Sequence, residues 1–381
     1  MDPALHPAPL SGNEMTWDAT INAAVQAYLN AQYGRAESLV LVALETAKVF
    51  GPSNPRMSTS LRTLGIVYEA MGQYAEAERL FRQALDILEQ AKARDSLDGA
   101  AALANLGGIC FVLGRYSEAE RTAEIALAVY EQMNGEQEVN YAKALDVGAD
   151  AAMLRGLYSV ARRYVERSTA VRQKTVGQTH LTMAQSHSRA AELLILEDQL
   201  AEAEPHLEQA LAIRQRACHG EHPLIAQSQN ALGRLRRLQR RAHEAASLHR
   251  EALRLQARRL DPKHPERATT LDLLAKAAVA IGDPGEAEPL AEEALAILEE
   301  RLGADHLRVA DTLFTFAELR ARQARWAEAR AHCRQALSIV TRVLGTRHPS
   351  INGHLDEYSA ILRSAGQVCA EAMTSTTGSP V

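Results

Sequence analysis

A short segment, GQYAEAERLFRQAL at residues 72–85, returns along the chain at a nearly constant interval. Recognisable versions of it begin eight times, first 41 and then always 42 residues apart. Because an active site is built once, a motif that recurs at a fixed period predicts an array of equivalent structural units. The first residue of each version, here called the turn residue, is Ala31, Gly72, Gly114, Gly156, Asp198, Arg240, Gly282 or Ala324.

Two columns of small residues follow the turn residues. The residue five positions later is alanine in all eight units, and the residue twelve positions later is alanine in all except the fourth, which has Ser168. These columns are about two helical turns apart, so they lie on one helix face against which a second helix can pack closely. We therefore predict a helix B of roughly 18 residues after each turn.

A second apolar helix, helix A, is predicted before each turn residue. In the stretch STSLRTLGIVYEAM at 58–71, Leu64 and Gly65 stand eight and seven residues before Gly72. A large apolar residue and then a small one recur at these places in most units, so each unit is expected to be a helix–turn–helix hairpin. Glycine is frequent at the turn because such a helix end favours a left-handed residue.

Five histidines mark the expected starts of A helices, at His180, His222, His264, His306 and His348. Histidines in phase could be metal ligands, but neighbouring helices pack about 8–10 Å apart, whereas histidine ligands lie about 2.0–2.1 Å from zinc. We therefore interpret the column as helix-start residues, and no metal site is expected. The proline that follows three of them fits the first turn of a helix.

Composition narrows the function classes. Aromatic residues make up only 4% of the chain, which favours close-packed helices over a β-sandwich. A net charge of −5 gives no general attraction to nucleic acid or acidic membranes. The cysteines are widely spaced without a CxxC pair, which predicts neither a zinc site nor a disulfide framework and favours a reducing compartment. The sequence has neither a signal-peptide pattern nor an apolar run long enough to span a membrane. A cytoplasmic protein without a cofactor is expected, since no GxxxxGK[ST], GxGxxG, HExxH or GxSxG motif occurs.

The second unit closely resembles the tetratricopeptide repeat. The pattern is carried by Leu64, Gly65, Tyr68, Gly72, Tyr74, Ala77, Phe81 and Ala84. The 42-residue period and the G-x-x-HP junction are similar to the kinesin-light-chain subtype. The resemblance implies an all-α fold, an α-solenoid over residues 15–366 in which about eight helix-turn-helix repeats form a right-handed superhelix. A final capping helix is expected at residues 350–366, and residues 1–14 and 367–381 are expected to be disordered tails.

Two units depart from the family pattern. The fourth has Gly148-Ala149 in place of leucine–glycine, and Ser168-Thr169 in place of alanine–leucine. The sixth has Arg236 at the tyrosine position and His249 at the phenylalanine position. We expect these units to pack less tightly or to bend the array.

The resemblance also implies a binding surface. In this family the helix-A residues about 13, 10, 6, 3 and 2 positions before the turn residue face a concave groove that binds peptides or protein segments. Carried over to this chain, the positions are Thr59, Arg62, Ile66, Glu69, Ala101, Ala104, Gly108, Phe111, Val112, Lys143, Asp146, Asp150, Gln185, Ser188, Glu192, Gln227, Asn230, Arg234, Arg237, Thr269, Asp272, Lys276, Asp311, Phe314 and Glu318.

The chemistry of this predicted surface varies along the chain. The third unit is small and apolar around Phe111, which suits a hydrophobic anchor of a partner. The other units offer hydrogen-bonding and charged groups, and the Asn230 amide can both donate to and accept from a peptide bond. The alternative for any single position is an ordinary solvated helix residue.

A basic segment at residues 234–259 has nine arginines against two glutamates. We interpret it first as a solvated face or as intra-array ion pairs. An acidic protein partner is the next interpretation, because arginine is attracted to carboxylates. Nucleic acid is the least favoured, since the segment lacks aromatic residues for base stacking.

These observations predict a non-enzymatic scaffold or adaptor whose groove binds a peptide or protein segment. The repetition without a unique chemical site supports this prediction. The alternative is a peptide-sensing regulatory protein that changes its superhelix conformation on binding a signalling peptide. An enzyme that holds a small-molecule substrate in the groove is a third hypothesis, which no motif supports.

Overall fold

The computed structural model describes residues 12–218 and 220–345, and the regular secondary structure in these ranges is sixteen α-helices. The chain divides into two compact units, residues 1–148 and 149–381. Unit 1 contains α1 (Gly12–Leu29), α2 (Tyr33–Lys48), α3 (Pro55–Ala70), α4 (Tyr74–Gln90), α5 (Leu97–Val112), α6 (Tyr116–Gln132) and the first part of α7 (Val139–Leu154). Unit 2 contains the end of α7 and α8 (Tyr158–Val176), α9 (Leu181–Leu196), α10 (Leu200–Ala217), α11 (Pro223–Leu238), α12 (Ala242–Gln256), α13 (Pro265–Ile281), α14 (Pro284–Leu302), α15 (Leu307–Arg322) and α16 (Trp326–Leu344).

The helices form hairpins of an odd-numbered helix A and the even-numbered helix B that follows it. In unit 1, α1 packs on α2, α3 on α4 and α5 on α6; in unit 2, α9 packs on α10 and the same pairing continues to α15 and α16. With α7 and α8 as the fourth, these are hairpins 1 to 8 in chain order. The B helices run from 15 to 19 residues, so the predicted solenoid of helix–turn–helix units is confirmed.

Both small columns of helix B are completely buried. All sixteen residues five and twelve positions after the turn residue have 0% exposure. Gly65 of helix α3 is also constrained, because a Cβ there would lie 2.5 Å from the Phe81 ring of the same hairpin. Small residues on facing helices therefore set the close approach within each hairpin.

The turns between A and B helices share one backbone solution. All eight turn residues have positive φ, including Ala31, Asp198, Arg240 and Ala324, whose φ angles lie between 52° and 63°. The residue after each turn donates its N–H to a carbonyl five residues earlier, as from Gln73 to Tyr68 at 2.9 Å. This is the hydrogen bond of a Schellman C-terminal motif, which explains the frequent glycine.

The histidine column caps the A helices of unit 2. His180, His222, His264 and His306 are N-cap residues whose Nδ1 accepts the backbone N–H two residues on, at 3.0 to 3.3 Å. In unit 1 the same task falls to Asn54 and Ser96, whose side chains accept from the N–H groups of Arg56 and Gly99. The helix-start interpretation is confirmed for these four histidines, whereas His348 lies outside the described residues.

In three hairpins, a polar residue four positions before the turn links the hairpin to the one that precedes it. Tyr68 Oη donates to Glu37 of hairpin 1 at 2.9 Å. Arg236 pairs with Glu204 at 2.5 Å, and Arg320 pairs with Glu288 at 2.5 Å. Arginine at the tyrosine position therefore keeps the link to the preceding hairpin as an ion pair.

Hairpins 4 and 6, which depart from the repeat pattern, differ in their structural consequences. The division between unit 1 and unit 2 falls between Gly148 and Ala149. These two residues of hairpin 4 replace the leucine–glycine pair of the repeat pattern. In hairpin 6, His249 is fully buried against Gly233, where an added Cβ would lie 2.6 Å from the imidazole ring. Helix α1 begins at Gly12, inside the expected tail 1–14, while residues 1–11, the expected capping helix and the expected tail 367–381 lie outside the described residues.

Candidate partner-binding surface

The A helices within each unit lie side by side. In unit 1, α3 contacts both α1 and α5; in unit 2, α11 contacts α9 and α13, and α13 contacts α15. The positions predicted to face a partner therefore form a shared surface in each unit, here called the A surface. Of these positions, Gln185, Gln227 and Asp311 are exposed; Thr59, Arg62, Ile66, Glu69, Gly108, Phe111, Val112, Lys143, Asp150, Ser188, Glu192, Arg234, Arg237, Thr269, Lys276 and Glu318 are half-buried; and Ala101, Ala104, Asp146, Asn230, Asp272 and Phe314 are buried.

The A surface of unit 1 is crossed by a polar bridge. Lys143 Nζ donates to Asn105 Oδ1 at 2.5 Å and lies 3.9 Å from Glu69 Oε2, so three successive A helices meet there. Arg62 approaches Asp98 at 3.5 Å nearby. Sequence reasoning predicted Glu69 and Lys143 but missed Asn105, although an amide in an otherwise apolar helix was a signal for it.

The small apolar region predicted in hairpin 3 is largely covered. Ala101 and Ala104 are 3% and 0% exposed, so their side chains have almost no surface to offer a partner. Phe111 is half-buried and packs edge-on against Tyr116, with ring centroids 5.0 Å apart. Of the large apolar residues predicted on α5, Phe111 and Val112 therefore keep some exposed surface.

Two ion pairs tie consecutive A helices together on the A surface of unit 2. Arg189 donates to both oxygens of Asp150 at 3.0 and 2.9 Å. Arg234 donates to both oxygens of Glu192 at 2.9 and 2.7 Å. Three of these four residues were predicted from the sequence, and Arg189 lies one position away from the predicted places. The pairs bring the predicted positions of neighbouring hairpins into direct contact.

A buried hydrogen-bond chain runs through Asn230, which is 8% exposed. His249 Nδ1 lies 3.0 Å from Asn230 Oδ1, and Asn230 Nδ2 donates to Thr270 Oγ1 at 2.6 Å. Thr270 in turn donates to the carbonyl of Glu266 at 2.9 Å. Burial lowers the pKa of His249 to about 4, so its ring is neutral at physiological pH. The Asn230 amide therefore already joins α11 to α12 and α13 before any partner arrives.

Asp272 forms a second polar centre, on α13. It is 5% exposed, accepts from Thr315 Oγ1 at 2.7 Å and pairs with Lys276 at 2.7 Å. Burial disfavours the charged amine of Lys276, but Asp272 and Asp311 outweigh burial and raise its pKa. The lysine is thus held charged at the surface while Asp272 is fully occupied.

Most of the basic segment 234–259 is neutralised within the chain. Six of its nine arginines form ion pairs, which confirms the interpretation as intra-array ion pairs. The pairs are Arg234–Glu192, Arg236–Glu204, Arg241–Glu244, Arg250–Glu286, Arg254–Glu251 and Arg258–Glu221.

The described residues contain neither a candidate metal site nor a candidate membrane span. In residues 12–218 and 220–345, no group of three or more His, Cys, Asp or Glu side chains is arranged to hold a metal ion. Cys110, Cys218 and Cys333 are buried, and burial raises the pKa of Cys110 to about 11. None of the helices in the same ranges is long and apolar enough to cross a lipid bilayer.

Comparison with known proteins decides the family. The tetratricopeptide repeat model matches residues 18–90, 182–257, 235–300 and 285–342, which together cover more than half of the chain. This chain belongs to the tetratricopeptide repeat family. The match leaves out residues 91–181, which contain hairpin 3 and the atypical hairpin 4. No curated protein sequence matches the chain.

Several solved structures resemble this tetratricopeptide repeat chain. A Rap protein complexed with competence and sporulation factor is 12% identical, with 94% of this chain and 99% of that chain covered and a TM-score of 0.61. The apo form of RapI is 14% identical, with 75% and 98% covered and a TM-score of 0.51. A kinesin-light-chain protein of Podosopora anserina with nearly identical TPR-like repeats is 25% identical, with 55% and 95% covered and a TM-score of 0.40. The two Rap structures share the fold of this chain.

Proposed function

We propose that this protein is a non-enzymatic scaffold whose unit 2 A surface binds an extended segment of another protein. The observation that supports it is the continuity of this surface. The Asp150–Arg189 and Glu192–Arg234 pairs hold predicted positions of α7, α9 and α11 next to one another. A partner segment lying across the A helices would therefore meet a continuous polar surface.

The exposed positions have the chemistry that an extended backbone needs. An extended chain presents its N–H and C=O groups at intervals of about 3.3 Å per residue. Gln185 and Gln227 are equivalent residues of α9 and α11, both are exposed, and each amide can donate and accept hydrogen bonds. Binding through such groups is tolerant of the partner's side chains and suits a scaffold.

A site-specific photo-crosslinking experiment tests the proposal. A photoreactive amino acid is placed at Gln185 or Gln227 on the A surface, and at Gln209 or Ser247, which are exposed on the B helices α10 and α12. Crosslinking in cells of the source organism should capture one partner protein from the A-surface positions and not from the B-helix positions. Equal capture from both sets, or none from Gln185 and Gln227, would refute the proposal. In this proposal the protein acts in the cytoplasm, a reducing compartment with which its widely spaced cysteines are compatible.

A second candidate function is peptide sensing. It is favoured by the fold shared with a Rap protein that was solved in complex with competence and sporulation factor. A sensor would change its dimensions on binding, because a ligand that prefers one conformation shifts the population toward it. Small-angle scattering with and without the secreted peptide fraction of the source organism distinguishes the two functions. An unchanged radius of gyration when peptide is bound leaves only the scaffold.

A further inference from the structure

Arg237 differs from the other cations of the unit 2 A surface in having no ion pair within the described ranges. It lies on α11 three residues before the turn and is half-buried. Its Nε is shielded from solvent and has no hydrogen-bond partner. By contrast, Arg234, one turn earlier on the same helix, donates twice to Glu192. An Nε–H that has lost water without gaining an acceptor costs free energy, which a ligand group that accepts this hydrogen bond would recover.

The groups near Arg237 add positive charge or are already committed. Its charge opposes protonation of both His249 and Lys276, which places all three groups within electrostatic reach of one another. Of the acids in this neighbourhood, Asp272 already binds Lys276 and Thr315, and the charge of Asp311 acts on Lys276 and Arg234. Among the other acids of this surface, Asp150 pairs with Arg189, Glu192 with Arg234 and Glu318 with Arg322.

We propose that Arg237 binds a carboxylate of the partner segment, so that the ligand of the unit 2 A surface is an acidic peptide. This inference rests on the proposed function and specifies the chemistry of the ligand. A guanidinium and a carboxylate can form two parallel charge-assisted hydrogen bonds. The ammonium of Lys276 attracts the same anion, whereas a lysine in the ligand would be repelled and a glutamine would not offset the arginine charge.

Three short fluorescein-labelled peptides test the inference. They share a glycine–serine backbone and carry glutamate, glutamine or lysine at the same central positions. Fluorescence anisotropy with the full-length protein should show the glutamate peptide binding about tenfold more tightly than the glutamine peptide. The difference should shrink as salt is added, because the charges are partly exposed to solvent.

Two variants locate the effect. Arg237→Gln should remove about tenfold of the affinity for the glutamate peptide. The matched control is Arg250→Gln, an exposed arginine of α12 that pairs with Glu286 and should leave that affinity unchanged. Thermal melts of both variants show whether either change disturbs folding. Equal binding of the glutamate and glutamine peptides, or an equal loss in both variants, would overturn the inference.

The remaining outcomes separate this inference from the proposed function. A single-stranded oligonucleotide that competes more strongly than the glutamate peptide would make the anion a phosphate and overturn the carboxylate assignment. If crosslinks at Gln185 and Gln227 capture a partner that Arg237→Gln still binds fully, the proposed function stands and the carboxylate assignment falls. If those crosslinks fail while the glutamate peptide binds through Arg237, the assignment stands and the scaffold proposal falls.

Discussion

His249 has no exposed surface and occupies the place that Phe81 holds in hairpin 2. Burial lowers its pKa to about 4; Arg237 and Lys276 act in the same direction and Asp272 acts against them. On the neighbouring helix α11, the ring meets Asn230 and the open side of Gly233. The folded chain therefore holds a neutral imidazole over a pH range in which the unfolded chain binds a proton.

We expect the free energy of unfolding of unit 2 to fall as the pH is lowered from about 7 toward 4. Between an unfolded pKa near 6.5 and the lower folded pKa, the unfolded state binds more protons, so stability rises with pH and is lost on acidification. His249 contributes on the order of 3 kcal/mol to this loss. Urea unfolding at several pH values should show a shallower dependence for His249→Phe, and an unchanged slope would contradict the assignment.

The turn residues supply a second prediction at this scale. A left-handed conformation costs a residue with a side chain about 1–2 kcal/mol, and a change to glycine removes this cost. Glycine also raises the entropy of the unfolded chain, which offsets about 0.4–1 kcal/mol of that gain. Arg240→Gly, at a position with φ of 63°, should therefore stabilise hairpin 6 by up to about 1 kcal/mol. Gly282→Ala, where φ is 91°, should destabilise hairpin 7. Hydrogen exchange of the flanking helices measures both, and the same sign for the two changes would be incompatible with this account.

At the scale of helices, the starts of the six A helices α3, α5, α9, α11, α13 and α15 each have a side-chain acceptor. The histidines of unit 2 accept through Nδ1, as Asn54 does through Oδ1 in unit 1. Protonation of Nδ1 would remove the acceptor, whereas asparagine keeps its acceptor at any pH. The two residue types thus serve the same cap with different sensitivity to acid.

Replacing one cap tests this role. His264→Ala should cost about 1 kcal/mol, concentrated in the first turn of α13, because an orphan backbone N–H loses its acceptor. His264→Asn should restore most of that loss, since Asn54 already caps an A helix in this chain. Amide exchange at Glu266 and its neighbours reports the effect. Equal exchange in the two variants would show that the histidine has another structural role.

The helices were predictable from sequence because their determinants repeat locally. The alanine columns and turn residues recur at a fixed spacing, and one helix face explains them without knowledge of any other hairpin. The partners of polar side chains were less predictable, because they depend on rotamers and on the neighbouring hairpin. Asn105 and Arg189 were missed, and Asn230, predicted to face a peptide, is bound to His249 and Thr270. The division at Gly148 was visible only as a departure from the repeat pattern.

At the scale of the whole molecule, the titratable caps and buried imidazoles found in residues 12–218 and 220–345 all lie in unit 2. Twelve of the thirteen histidines lie in residues 149–381. In unit 2, burial also lowers the pKa of His187, which faces His206 with their Nδ1 atoms 3.1 Å apart, and of His332, which stacks on Phe316. In unit 1, α3 and α5 are capped by Asn54 and Ser96, which do not titrate in this range.

Acid should therefore weaken the two units unequally. We expect hydrogen exchange, corrected for the intrinsic effect of pH, to accelerate in unit 2 before unit 1 as the pH is lowered from about 7 to 5. The hairpins of a repeat protein couple mainly to their neighbours, so one part of the array can lose structure before another. Peptide-level mass spectrometry after brief labelling follows both units in one sample. Simultaneous loss of protection in α3 and α13 would show that the histidines do not set the acid response.

The link between neighbouring hairpins restricts how this array can evolve. Arg320 requires Glu288 from the hairpin before it, and its side chain is only 10% exposed. At the equivalent places one hairpin earlier, Ala278 stands opposite Ala246. Deleting hairpin 7 in register would preserve the period but set Arg320 against Ala246, so that this nearly buried cation would keep only Glu328 of its own hairpin as an ion-pair partner, at 3.4 Å. Equal length does not make the hairpins exchangeable, and gain or loss of a whole repeat in this lineage would have to be accompanied by a compensating change of charge.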